Sequence, residues 1–362
     1  MQGMHRALAL AGAAAATLAL VACEPGPKTI DQSGYRGTGM AQINLNSAAI
    51  VAEVPAPPYA LPAPGEVTAG EAYENVQVLA NVSREEFDYF MAAITAWVAP
   101  EQGCNYCHNP ANMASDEIYT KTVARSMIQM NQTVNTGWDA HVKQTGVTCW
   151  TCHRGNPVPA NYYTLPQERT TNSIKGKKNG QNTPIATSAF SSLPYESFGA
   201  YFGSDLGEPM SVRVGGRSMH PQADHKVSTM EAEQTYGLMM HFSQSLGVNC
   251  AHCHNSQNFA NWSISGPTRV QAWHGVQMVR NINDGYISPL KGVFPDNRVG
   301  PQGDPYKVNC TTCHQGQAKP LGGVRMVGDY PALLLPPLDL TAPDDAAGEE
   351  TMAQGQQIAA AN

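Results

Sequence analysis

The chain has 362 residues, 14% of them charged and 7% aromatic, with 33 Gly, 26 Pro and a formal net charge of −7. The length allows one or two compact domains, and the acidic balance disfavours nucleic acid and favours a basic partner. The loop-rich composition lacks the periodic Leu, Ile and Val of a large aliphatic core, so something else has to fill the interior.

Residues 1–22 read as an export signal, with Arg6 ahead of a small-residue apolar run from Ala7 to Ala22. That run is shorter than the roughly 20 residues that span a bilayer. It ends in Leu20-Val21-Ala22-Cys23, which resembles a bacterial lipobox. Cleavage before Cys23 would free its thiol for a diacylglycerol and hold the mature chain outside the cytoplasm by acyl chains. An ordinary signal peptide with an incidental Cys23 is the plainer alternative. No other stretch is apolar enough to span a bilayer. Residues 23–80 read as a lipid-anchored arm, proline-rich from Pro55 to Pro64.

The first predicted helix opens at Ser83, where Ser83-x-x-Glu86 reads as a capping box. Phe87, Phe90, Met91, Ile94, Trp97 and Val98 follow at helical spacing, and Pro100 stops the helix before Cys104. Ser115-Asp116-Glu117 predicts the start of a second helix carrying Ile118, Val123, Met127 and Met130. Residues 161–226 are rich in Gly, Asn, Ser and Pro and read as a connecting segment. A third helix opens at Ser228-x-x-Glu231, carries Met239 and Met240 and ends near Gly247. Pro267 suits the first turn of a fourth, with Val270, Trp273 and Val276 on it. Strands find little support. Residues 321–362 read as a partly disordered tail.

Nine cysteines occur. Apart from Cys23, all fall in four copies of Cys-x-x-Cys-His: Cys104, Cys107 and His108; Cys149, Cys152 and His153; Cys250, Cys253 and His254; Cys310, Cys313 and His314. This is the signature of c-type haem attachment. Two intervening residues let both thiols add across the vinyl groups of one porphyrin, and the adjacent His supplies the proximal iron ligand. Disulfides would not require a His after every second Cys. Zinc knuckles pair two Cys-x-x-Cys units per metal and have no need of the fourfold His. Thioredoxin-like motifs come singly, beside a βαβ pattern absent here. Four haems also supply the missing core, because each macrocycle is a large apolar plate.

The sites fall in two pairs. Asn follows the first and third His (Asn109, Asn255), whereas a polar residue and Gly follow the second and fourth (Arg154-Gly155, Gln315-Gly316). The alternation predicts a duplicated two-haem unit, at 81–160 and again at 227–320. The expected fold is mainly α with extensive irregular loops, two pseudo-repeated dihaem units wrapped around four covalent haems.

A second protein ligand closes a haem and suits it to electron transfer, and Met in that position raises the potential relative to His. Met91 lies 13 residues before Cys104, Met127 lies 22 before Cys149, and Met239 lies 11 before Cys250, each on a predicted helix. A lone Met on an apolar face usually packs, but the matched placements favour ligation. Met130, Met240 and His241 compete with them. The fourth site has no comparable Met, since Met278 is far upstream and is expected to pack. Six spare His remain (His141, His220, His225, His241, His252, His274), and spacing alone does not choose among them.

From about Ser83 to Gly316 this pattern resembles the tetrahaem cytochrome subunit of purple-bacterial photosynthetic reaction centres, and Cys23 matches as well. The resemblance implies iron ligation by Met91 with His108, Met127 with His153, Met239 with His254, and a crossover His141 with His314. It implies haems in a row in the order first, second, fourth, third, with the third nearest the bacteriochlorophyll special pair. The implied function is electron transfer without enzymatic activity: re-reduction of the photo-oxidised special pair with electrons from a soluble c-type cytochrome or a high-potential iron–sulfur protein. The implied partners are the reaction-centre membrane subunits, with the chain lipid-anchored on the periplasmic face of the inner membrane. Arg269, shortly after the third site, is positioned to raise that haem's potential by its charge, with a plain surface Arg as the alternative. Competing functions are a tetrahaem carrier of a respiratory chain, and a multihaem reductase, which would need an open haem beside acid–base residues.

Overall fold

The computed structural model describes residues 54–165, 197–212 and 229–338, together with the backbone of 28–33 and 40–45. Cys23 and its leader, His220, His225, Ser228, most of the connecting segment and the chain beyond 338 lie outside the described residues. Against the expectation of few strands, two antiparallel pairs form: β1 (Lys28–Ser33) with β2 (Met40–Leu45), and the two-residue β3 (Tyr162–Tyr163) with β4 (Lys307–Val308). The rest is helical with irregular loops.

The first half begins with α1 (Ala69–Ala72), capped by Thr68, and α2 (Arg84–Val98). Ser83 caps α2 by accepting from Glu86 N at 3.3 Å. The Glu86 carboxylate bonds the Ser83 hydroxyl at 3.2 Å, so the predicted box forms in altered geometry. Two stripes run along α2. Tyr89, Phe90, Ala93 and Trp97 are buried in protein, whereas Phe87, Met91, Ile94 and Val98 are half-buried along the adjoining face. Helix α3 (Tyr119–Gly137) starts four residues later than Ser115. The Ser115 hydroxyl instead accepts from Glu117 N in a tight turn, and Asp116 pairs with Arg125. A short α4 (Asp139–Val142) and α5 (Cys149–His153) complete this half.

The second half comprises α6 (Phe198–Tyr201), α7 (Thr229–Leu246), α8 (Thr268–Ile282) and α9 (Cys310–His314). Of the apolar residues predicted to define α8, only Val276 is buried; Val270 and Trp273 are about half exposed. The buried face of α8 is Gly275, Val276, Met278, Val279 and Ile282. A π-turn, Asn283–Ile287, follows.

Among the described residues, three apolar clusters hold the elements together. The first packs α2 against Leu321, Met326, Val327, Tyr330 and Leu333. This corrects the assignment of 321–362 to a tail, since its first part returns to the core of the first half. Tyr330 sits 4.5 Å from Trp97 and 5.2 Å from Tyr89, ring to ring; such pairs add about 0.5–1.5 kcal/mol each beyond their burial. The second cluster joins Phe198, Tyr201 and Phe202 to Leu238, Val276 and Val279. The third joins α3 to α8 through Val134, Met278 and Ile282, so the halves share an interface. Met278 therefore packs, as its sequence position suggested.

Candidate haem sites

The four Cys-x-x-Cys-His segments fold in two ways. The first and third begin as 3₁₀ turns, Gly103–Tyr106 and Cys250–His252. The second and fourth are the single α-turns α5 and α9, capped by Thr148 and Asn309. Each α-turn ends in a left-handed residue, Arg154 (φ 49°) or Gln315 (φ 49°), followed by Gly155 or Gly316 at φ above 80°. Glycine accepts that second conformation without the Cβ penalty. The Gly155 amide then bonds Trp97 O at 2.9 Å, and the Gly316 amide bonds Ser245 O at 2.8 Å. Trp97 lies six residues after Met91, and Ser245 six after Met239.

All four motif histidines have the same orientation. Nδ1 meets a backbone carbonyl: Met113 for His108 at 3.0 Å, Asn156 for His153 at 2.9 Å, Phe259 for His254 at 2.9 Å and Gln317 for His314 at 2.8 Å. The acceptor is five residues on at the first and third sites and three on at the second and fourth. A carbonyl can only accept, so Nδ1 carries the proton and Nε2 keeps its lone pair for a metal. Burial lowers the pKa of His153, and that of His314 to about 4. Both rings are then neutral, as ligation requires.

Burial pushes the thiols of Cys149 and Cys310 up to about 12, which keeps them protonated. The helical turns of the second and fourth motifs lie against one another, with Cys152 and Cys313 as neighbours. Among the described residues no three His, Cys, Asp or Glu side chains cluster as a metal site.

The candidate distal residues differ in their settings. Met91, Met127 and Met239 are half-buried on α2, α3 and α7, as are the competitors Met130 and Met240. His241 is enclosed by Phe198, Phe202 and Ser245, with Ser245 Oγ 3.3 Å from both ring nitrogens. Desolvation there drops its pKa to about 3. A ring packed on all sides presents no face to a macrocycle, which favours Met239 over His241. His141, on α4, donates from Nδ1 to Gln271 O at 2.8 Å and faces His314, with ring centroids 6.0 Å apart and planes at 72°. Metal–nitrogen bonds of about 2 Å on either side of one ion would set two imidazole centroids about 6 Å apart. The donor set and its spacing fit a bis-imidazole haem iron.

Of the residues around these sites, Arg269 was singled out in the sequence, whereas Thr120, Lys121 and Thr268 were not. The Thr120 and Thr268 hydroxyls donate to Tyr106 O and His252 O, the equivalent carbonyls of the first and third motifs. The next residues are both cations. Lys121 Nζ, nearly buried, donates to the carbonyls of Met113, Ala114 and Ser115 at 2.7–3.0 Å. Arg269 lies 4.0 Å over the Trp262 ring and donates to Ser265 Oγ at 2.7 Å. The repeated Thr-Lys and Thr-Arg pairs were the available signal.

Imidazoles preset for metal beside paired thiols define a c-type cytochrome. Residues 24–334 match the model of the photosynthetic reaction centre cytochrome C subunit. The chain is 46% identical over 332 residues to the photosynthetic reaction center cytochrome c subunit of Rubrivivax gelatinosus, covering 90% of this chain and 88% of that protein. It is 44% identical to that of Thermochromatium tepidum (88% and 78% covered) and 38% identical to that of Roseobacter denitrificans (83% and 84%). The chain belongs to the photosynthetic reaction centre cytochrome c subunit family, and it is an electron carrier, not an enzyme. No described helix is long and apolar enough to cross a membrane.

Proposed function

We propose that this chain binds four c-type haems, one per motif, and re-reduces the photo-oxidised bacteriochlorophyll special pair of the reaction centre with electrons from a soluble periplasmic donor. Family membership supports the role, and the His141–His314 opposition carries the reading of closed, electron-transferring sites. When bound, the haems supply reversible one-electron iron chemistry.

The chain's own residues do the rest. The paired cysteines fix each macrocycle by thioether bonds. His108, His153, His254 and His314 supply proximal nitrogens, held in one tautomer by their carbonyl partners. Met91, Met127 and Met239 close three sites with thioethers, and His141 closes the fourth with an imidazole. With Met91, Met127, Met239 and His141 held against the irons, these side chains would keep out small ligands and water, which separates a carrier from a reductase. Thioether ligation favours the reduced iron more than imidazole does, so the His141 site is expected to have the lowest potential of the four. The half-buried stripe of Phe87, Met91, Ile94 and Val98 would be covered by the first macrocycle. The adjacency of Cys152 and Cys313 supports neighbouring second and fourth haems. The charge of Arg269, held over Trp262 one residue after the Thr268 that bonds the third motif, supports a raised potential at the third.

The two halves are proposed to be a duplicated dihaem unit, supported by matched histidine, glycine and threonine hydrogen bonds. Cys23 is proposed to carry the lipid that holds the chain on the periplasmic face of the inner membrane. A soluble c-type cytochrome or a high-potential iron–sulfur protein fits as donor. Intact-mass measurement of the mature protein with a redox titration tests this reading. Four haems, one of them low in potential and bis-imidazole by electron paramagnetic resonance, are expected. Fewer haems, or four bis-imidazole haems, would contradict it.

A further inference from the structure

Gly275 is buried in the middle of α8, where glycine is among the poorest helix formers. Its backbone is ordinary helix, with no positive φ to require it. What the position requires is space. A Cβ placed there would lie 2.6 Å from Cε1, 2.9 Å from Nδ1 and 3.2 Å from Nε2 of His141. That ring is pinned on one side by Gln271 O and faces His314 on the other, so it cannot retreat without losing one of these relations.

The register of the two halves gives this space a meaning. Thr120 and Thr268 make the same hydrogen bond to the first and third motifs. Seven residues after Thr120 stands Met127; seven after Thr268 stands Gly275. The helix position that carries a thioether in the first half carries no side chain in the second.

We propose that Gly275 is the positioning residue that selects the distal ligand opposite His314. By presenting no side chain it admits His141 from α4, and a methionine in its place would deliver a thioether as Met127 does. This rests on the reading that His141 and His314 ligate the fourth haem, and it adds the residue that decides between imidazole and thioether there.

The test compares Gly275→Leu, Gly275→Met and His141→Ala in the full chain, matured with its haems. Leu and Met are similar in volume, but only Met carries a ligand. Electron paramagnetic resonance of the ferric protein reports bis-imidazole and high-spin haem, and the near-infrared thioether-to-iron band counts methionine ligation. Gly275→Leu is expected to abolish the bis-imidazole signal and make one haem high-spin. Gly275→Met is expected to abolish the same signal but stay low-spin, with the thioether band increased by about one third as a fourth methionine ligand joins three. A wild-type signal in Gly275→Leu, with that signal lost in His141→Ala, would overturn the role of Gly275 and leave the ligand reading standing. A wild-type signal in His141→Ala would overturn the ligand reading and the proposal with it. A high-spin Gly275→Met would overturn thioether delivery. If the larger variants do not accumulate, Gly275→Ala still places a methyl group against the ring. A shifted bis-imidazole signal is then expected, and an unchanged one overturns the proposal.

Discussion

The two halves present their haem motifs on matched hydrogen-bond frames but are filled differently. The first half is built on aromatic packing, with Tyr89, Trp97 and Tyr330 ring to ring. The second half is pinned by buried polar groups. Asn283 is fully enclosed, donates to Phe202 O and Val308 O, and accepts from Val308 N. Arg280 donates to Tyr201 O and Met210 O, and Lys307 is sealed against Asp304 and Asp205. The shared elements set imidazole orientation, so they follow the chemistry. Packing elements only fill space or satisfy buried groups, and so are free to diverge. Gly275 against Met127 is a difference that reaches a candidate ligand.

If that division holds, the largest stability loss comes from the second half's buried ion pairs. Lys307→Ala removes the cation from buried Asp304, leaving the Leu165 amide on Oδ2 while Oδ1 already has no hydrogen-bond partner. Breaking such a pair costs about 3–5 kcal/mol, measured as a fall in the guanidinium midpoint of unfolding. Tyr330→Ala should remove the aromatic keystone of the first half at a cost of about 3 kcal/mol, and spare His254 and His314 ligation by resonance spectra. An equal disturbance of both halves would erase the contrast drawn between them. Met239→Leu leaves the fold intact but is expected to lower the third haem's potential by about 0.1 V, worth about 2.3 kcal/mol for one electron. An unchanged potential and spectrum would transfer ligation to Met240. The smallest effect belongs to Asp116, held well below the usual carboxylate range chiefly by hydrogen bonds from Arg125, and also from Asn75 and Lys121. A depressed folded-state pKa means stability that is present above about pH 4 and lost as pH falls below it. Because this carboxylate is partly solvent-exposed, Asp116→Asn should cost under about 1 kcal/mol at pH 7 and flatten acid unfolding, followed by circular dichroism.

Covalent attachment is local chemistry, so the four motifs were legible as strings of five residues. The offsets of Met91, Met127 and Met239 were legible because each Met sits on a helix just upstream of its motif. The start of α3 was misread because Ser115 satisfies a turn amide as readily as it caps a helix. Val270, Trp273 and Val276 do lie on the predicted helix, but which of them is buried was not legible, because spacing along one helix does not say which neighbour covers it. The return of residues 321–335 to the first core and the meeting of His141 with His314 are long-range contacts that no local pattern encodes. The resemblance supplied the second of these, and the structure supplied its distance. Gly275 was passed over because a single glycine inside a helix is usually only a weak position.

The most direct test of the central account is flash photolysis of membranes containing the protein, following haem α-band bleaching and special-pair recovery together. Haem oxidation that matches special-pair re-reduction in time, slowed in Met239→Leu, is expected. Special-pair recovery with no light-driven oxidation of any haem would contradict it.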